Sequence, residues 1–353
     1  MKPIRRLLII GYTCLLLASA IASAITFPWS VDPQGDESFN AEHRRFYERA
    51  YSSEAKATKD PTPPTATVPL SAKAKFYIDF ARNSAIAAKI PQTAAEFVTK
   101  YGLKDKKVLE VGAGSGLLQD IVEDYTALDI SATARQFFHK PFVEASATDM
   151  PFPDNSFDAL WSIWVLEHIP NPEKALLEMR RVVKPDGHIF LRIRNDVDRY
   201  AAQGYRVRSY HDFDIWGKLK KATIPIADSK AFYNLQTRQV RLLRSLGSRL
   251  GGGPSRLHFI KLDANYEQYW INDSDACVSV SYHEVLRWFT SRGDQCLNCP
   301  SESSLVFGDA AYNPNMFIRV VKRSPRAATD VLSSRSAYSG GIFSMSLPLV
   351  KSW

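Results

Sequence analysis

The chain has 353 residues, enough for one large domain or two small ones. With 45% apolar and 23% charged residues it reads as globular, which excludes a disordered or low-complexity chain. The formal net charge is +8, but no aromatic-interleaved basic pattern or binding module accompanies it, so nucleic acid is not expected as a partner.

Residues 7–31 carry no charge and follow Lys2, Arg5 and Arg6. Residues 7–27 are long enough, as a helix, to cross a bilayer core of roughly 30 Å. They equally suit a signal peptide cleaved near Ala22-Ser23-Ala24. Residues 1–30 are therefore expected to be a signal anchor or a signal peptide, giving either a membrane protein with one N-terminal span or an exported one. The basic residues before the span, with none between Phe27 and Glu42, point by the charge rule to a cytoplasmic N-terminus with the remainder across the membrane, but the side on which the domain lies stays open. Residues 31–71, polar and Pro-rich over 52–70, are expected to form a tether. From 72 to 100, Phe76, Ile78, Phe80, Ile86, Ile90, Phe97 and Val98 fall at helical spacing.

The most informative segment is K-V-L-E-V-G-A-G-S-G at 107–116. An apolar run (Val108, Leu109, Val111) ends in a turn with glycine at 112, 114 and 116. Such a turn, feeding a helix, is expected to leave backbone N–H groups open to a ligand that approaches closely. A dinucleotide fingerprint needs a small residue where Leu117 stands, so that cofactor class is disfavoured. A short helical segment is expected over 117–123. Asp129 then ends a second apolar stretch, 17 residues beyond Gly112. E-A-S-A-T-D-M-P-F-P at 144–153, S-F-D-A-L-W-S-I-W-V-L-E-H at 156–168, a capped helix from Asn171 and a turn-strand over 184–193 follow in order.

Glu110 with the G-x-G-x-G turn and these five later landmarks, the Asp129 stretch among them, resembles the class I S-adenosylmethionine-dependent methyltransferases, closely over 72–195 and loosely over 263–322. The resemblance implies an α/β fold with a doubly wound, mostly parallel seven-stranded sheet. It implies S-adenosylmethionine as cofactor, held by Glu110, Gly112, Ala113, Gly114 and Gly116. Asp129 and Ile130 would meet the ribose, Asp149 and Met150 the adenine, and Trp164 the loop beyond the fourth strand. Because the chain has V-L-E-H where amide and exocyclic-nitrogen methylases have N/D-P-P-Y, oxygen, carbon or simple amine acceptors are expected. His168 is the candidate base, with loop ordering or cofactor contact as its other reading; imidazole titrates near neutrality. Asn195 and Asp196 would stand at the mouth of the crevice.

The methyltransferase domain is thus expected over 72–322, with an insertion at 196–262. Residues 216–262 hold ten Lys or Arg against the single acid Asp228, and Val240, Leu242, Leu243, Leu246 and Leu250 stripe a helix ended by G-G-G-P at 251–254. Such a helix suits an anionic membrane, a phosphate-bearing substrate, or simple packing on the domain. Residues 323–353 form a Ser-rich tail. One C-x-x-C pair (Cys296, Cys299) falls short of the four ligands of a zinc site, so no metal is expected. In an exported domain, Cys296 would bridge to Cys299, or one of the pair to Cys277. The expected function is methyl transfer, in association with a membrane, to a lipid, glycolipid or other envelope component. The alternatives are a tethered methyltransferase of a soluble small molecule and a non-catalytic protein that binds the cofactor.

Overall fold

The computed structural model describes residues 29–35, 37–52, 72–194, 197–227, 230–251, 253–266, 273–299 and 314–322, with a few positions between 6 and 17. The cleavage site at Ala22-Ser23-Ala24, the tether over 53–71, Asn195, Asp196 and the tail lie outside the described residues. No described helix is long and apolar enough to cross a membrane, and most of 7–27 lies outside them as well.

Seven strands make the central sheet: β2 (Val108–Val111), β3 (Tyr125–Asp129), β4 (Phe142–Glu144), β5 (Phe157–Ile163), β6 (Val183–Arg192), β9 (Gln295–Cys296) and β10 (Asn315–Arg319). Their order is β4-β3-β2-β5-β6-β10-β9. The first five run parallel, and β10 is antiparallel to both its neighbours. This is the doubly wound α/β sheet that the sequence implied. β2 and β3 are buried at every position because helices cover both faces, which is why they read as largely apolar runs, with Glu110 and Asp129 as their buried acids. On one face lie α2 (Ala72–Ala87) and α3 (Ile90–Tyr101), with Ile90, Ala94 and Phe97 in the core. On the other lie α4 (Pro172–Val182) and α7 (Tyr282–Thr290), bringing Leu176, Met179, Trp288 and Phe289. Asn171 caps α4 by accepting from the Lys174 N–H at 3.1 Å. The expected turn at 184–187 is an irregularity inside β6, where Asp186 takes φ +61°.

Two expectations are corrected. Residues 117–123 form turns rather than a helix. The chain leaves Gly116 and must reach Tyr125 within eight residues, too few for a helix and its return, and it closes instead through Gln119 N–H to Gly116 O and Ile121 N–H to Leu118 O. The tether reading also fails for residues 31–35 and 37–52. β1 (Trp29–Ser30) pairs with β7 (Phe259–Lys261), which pairs with β8 (Val278–Val280) in a second, antiparallel sheet. α1 (Glu37–Ala50) then packs on the domain, burying Phe46, Tyr47, Ala50 and Tyr51.

The insertion forms α5 (Ile215–Ala227) and α6 (Lys230–Gly251). α6 turns polar groups toward the domain: Arg244 meets His258 at 2.6 Å and Ser245 meets His283 at 3.3 Å. Its leucines therefore face outward, with Leu243 55%, Leu246 46% and Leu250 87% exposed. Cys296 and Cys299 form a disulfide beside β9, and Cys277 is a buried free thiol.

Candidate functional site

A cavity of about 510 Å³ opens at the C-terminal ends of β2, β3 and β5. That volume lies within the usual range for small-molecule sites, and the position is where doubly wound sheets bind ligands. Gly112, Asp129 and Ile130 line its floor, with Ala145 to Thr148 on one side and Trp164, Val165 and His168 on another. Its roof is α1, which contributes His43, Arg44, Tyr47 and Tyr51, with Tyr77 of α2 beside them.

The glycine turn works differently from the expectation. Four of its N–H groups are bonded internally: Gly112 and Ala113 donate to Leu128 O, Gly116 to Ala113 O, and Gly114 to Asp129 Oδ2 at 2.8 Å. What demands glycine here is the close packing of the turn against neighbouring side chains. A Cβ on Gly112 would lie 2.3 Å from Val165 Cγ2, and one on Gly114 would lie 3.1 Å from Tyr51 Oη. Asp129 is buried and accepts from Ser131 N–H as well as Gly114. Burial raises its pKa against those backbone bonds. With backbone N–H groups of Gly114, Ser131 and Ile130 on it, the carboxylate still keeps a lone pair for a diol hydroxyl, so this loop fits the ribose of S-adenosylmethionine.

Gly112, Asp129, Ile130, Trp164 and His168 thus converge on the cavity, with Ala113, Gly114 and Gly116 in the supporting turn. Trp164 holds φ +55°, and the Arg192 guanidinium sits 5.3 Å from its ring centre. Six predicted residues do not line the cavity: Ala113, Gly114 and Gly116 of the turn, and Asp149, Met150 and Glu110. Asp149 is exposed and Met150 is buried in the apolar core; Ala145 to Thr148, immediately before them, take the place at the wall. Glu110 is buried and accepts from Tyr125 Oη.

Burial pushes the Glu110 carboxyl from 4.5 up to about 7 despite that hydrogen bond. A carboxyl whose folded pKa exceeds its unfolded value favours the folded state fully below pH 4.5, and that contribution is lost as pH rises toward 7. Glu110→Gln keeps an acceptor for Tyr125 and carries no charge. Urea unfolding should find it more stable than the parent at pH 8 by on the order of 2 kcal/mol, with the difference vanishing near pH 4.5. An equal difference at both pH values would remove Glu110 as the cause.

Sequence reasoning missed the roof. Phe39, His43, Tyr47 and Tyr51 recur every fourth residue, the spacing that puts them on one helix face. The D-S-D-A stretch at 273–276 resembles a substrate-side elaboration of some class I methyltransferases. The sequence did not pair its buried Asp275 with His168, whose Nδ1 lies 3.5 Å away, because 107 residues separate the two in the chain. The side-chain polar atoms of Glu167, His168 and Asp273 lie within 4.8 Å of one another, and the Arg194 guanidinium meets Asp273 at 3.0 Å.

Residues 109–191 match the family model described as a methyltransferase domain. An uncharacterized methyltransferase of Schizosaccharomyces pombe is 27% identical over 148 residues, covering 36% of this chain and 52% of that protein. A demethylmenaquinone methyltransferase of Renibacterium salmoninarum is 38% identical over 93 residues, covering 24% and 39%. A ubiquinone biosynthesis O-methyltransferase of Dechloromonas aromatica is 34% identical over 106 residues, covering 25% and 44%. The chain spans about half or less of the length of these relatives.

Proposed function

For a chain that belongs to the class I S-adenosylmethionine-dependent methyltransferase family, we propose a membrane-associated enzyme that methylates a lipidic acceptor. The observation that carries the membrane half is the outward leucine face of α6, together with the exposed Ile215 and Trp216 of α5. Apolar side chains at such exposure, on helices rich in Lys and Arg, suit an anionic bilayer surface. The uncharged stretch 7–27 adds support. It ends just before β1, and only six residues separate β1 from the roof helix. A span there would hold the cavity close to the bilayer. Relatives named for menaquinone and ubiquinone biosynthesis are in keeping with a membrane-soluble acceptor.

The cofactor, when bound, supplies an already activated methyl group. The protein's share is alignment and exclusion of water, with a proton acceptor where the nucleophile is a hydroxyl. Asp129 and the turn at 112–116 would hold the nucleoside end, Tyr47 and Tyr51 close the cavity from above, and His168 stands at its wall. Incubating the full chain with cell membranes and methyl-labelled S-adenosylmethionine should place label in the organic lipid extract. Label confined to water-soluble products would overturn the lipidic acceptor. Asp129→Ala should weaken cofactor binding by roughly 1–3 kcal/mol in calorimetry, and unchanged affinity would remove Asp129 from the site.

A further inference from the structure

The motif D-S-D-A at 273–276 has no part in holding the cofactor, yet the fold delivers it to the wall of the cavity. Asp275 is fully buried, and its Oδ2 lies 3.5 Å from His168 Nδ1. The same oxygen accepts a 2.8 Å hydrogen bond from Tyr47 Oη of α1, and the Tyr47 ring meets the His168 ring edge-on at 6.0 Å. His168 lines the cavity, so an imidazole with Nδ1 turned to Asp275 leaves Nε2 for a ligand.

We propose, building on the methyl-transfer reading of this cavity, that Asp275 is a positioning residue that fixes His168 as the general base for a hydroxyl acceptor. The hydroxyl oxygen bonds to the methyl carbon as the carbon–sulfur bond breaks and its electron pair returns to sulfur. The hydroxyl proton goes to His168 Nε2 and from there to solvent. Positive charge developing on the ring is stabilised by Asp275, the arrangement by which a buried carboxylate sets both tautomer and orientation of a catalytic imidazole. An amine or carbon acceptor would draw less from this pair, so the substrate class is a lipid-borne phenol, enol or alcohol.

The charged and titratable groups facing His168 are Glu167 in its own turn, Asp273 and Asp275 in the loop before β8, and His43 and Tyr47 on α1. Burial pulls the His168 pKa down, but Asp275, Glu167 and Asp273 outweigh it and the net direction is upward. His43 moves the other way, to about 4 through burial and the neighbouring His168, so it stays neutral while His168 titrates.

The test needs no acceptor for its first arm. NMR titration of the His168 ring in the full chain should show its pKa falling by about one unit or more in Asp275→Asn and recovering in Asp275→Glu. In the second arm, methyl transfer to the lipid extract should fall about 10²-fold in Asp275→Asn, with its acid limb moved to lower pH and cofactor affinity unchanged. Tyr47→Phe, which keeps the ring and removes only the hydroxyl, should lower transfer several-fold. A His168 titration indifferent to Asp275→Asn, or loss of transfer with no movement of the pH limb, overturns the pairing. Absence of cofactor binding by the parent chain would instead sink the methyl-transfer reading beneath it.

Discussion

A chain lacking residues 1–52 should lose S-adenosylmethionine binding altogether, while one lacking residues 1–27 should retain it within about twofold. The stretch between the two cut points contains β1 and α1, and α1 is structural to the cofactor site. Phe46, Tyr47 and Tyr51 are each 8% exposed or less, and fully burying an aromatic side chain of this kind contributes about 1.5–3 kcal/mol. Glu48 accepts from the backbone N–H groups of Ala132 and Thr133 at 3.0 and 3.2 Å, capping the turn that follows Asp129. Ser131 donates from its hydroxyl to Tyr47 O, and Gln136 donates to Tyr51 O. Without α1, the turn at 131–137 loses these partners and the carboxylate at Asp129 loses the frame that aims it. Calorimetry on the two truncated chains checks the contrast. Glu48→Ala in the full chain provides a milder version, expected to weaken the cofactor about tenfold, since hydrogen bonds to a charged group contribute about 1.5–3 kcal/mol each. Equal affinity in all three proteins would show that α1 is a bystander.

This dependence explains which parts of the site were legible from sequence. β2, β3 and β5 announce themselves because parallel strands covered on both faces are mostly apolar, and the turn after β2 needs glycine where Val165 presses in. α1 conceals itself because it buries a single narrow face. Glu42, Arg44, Arg45, Glu48 and Arg49 lie on the remainder of its surface, and the Pro-rich stretch that follows suggests a linker. The aromatic repeat at 39, 43, 47 and 51 was its only signature. Residues 117–123 failed in the opposite direction: apolar spacing in a short window suits a helix or a packed turn equally, and only the distance to β3 decides. Asp275 was out of reach for a third reason. Its meeting with His168 depends on how β8 and the turn after β5 come together, and neither segment's local pattern encodes that contact. The outward leucines of α6 belong to the same class, since periodicity finds a stripe and only packing partners say which way it points.

Gly112→Ala should be the most damaging single substitution in the turn, lowering stability by about 2–4 kcal/mol and cofactor affinity by about a hundredfold. Two effects combine. The position holds φ +71°, a left-handed conformation that costs a residue with a Cβ roughly 1–2 kcal/mol. The new methyl would also stand 2.3 and 2.7 Å from the two γ-carbons of Val165, too close for any packing. A β-branched side chain cannot rotate freely away, and overpacking of this sort costs about 1–3 kcal/mol. The strain must then move the backbone of residues 164–168, which carries Trp164 and His168 to the cavity wall. Gly102→Ala separates the two effects. Gly102 has φ +63° at the end of α3, yet a Cβ there would meet nothing within 4 Å. It should lose only the conformational part and bind cofactor normally. Adding Val165→Ala to Gly112→Ala should recover part of the lost affinity, a coupling that a double-mutant cycle measures directly. If Gly102→Ala and Gly112→Ala lose stability and affinity equally, the close approach of the turn to Val165 has no bearing on the site.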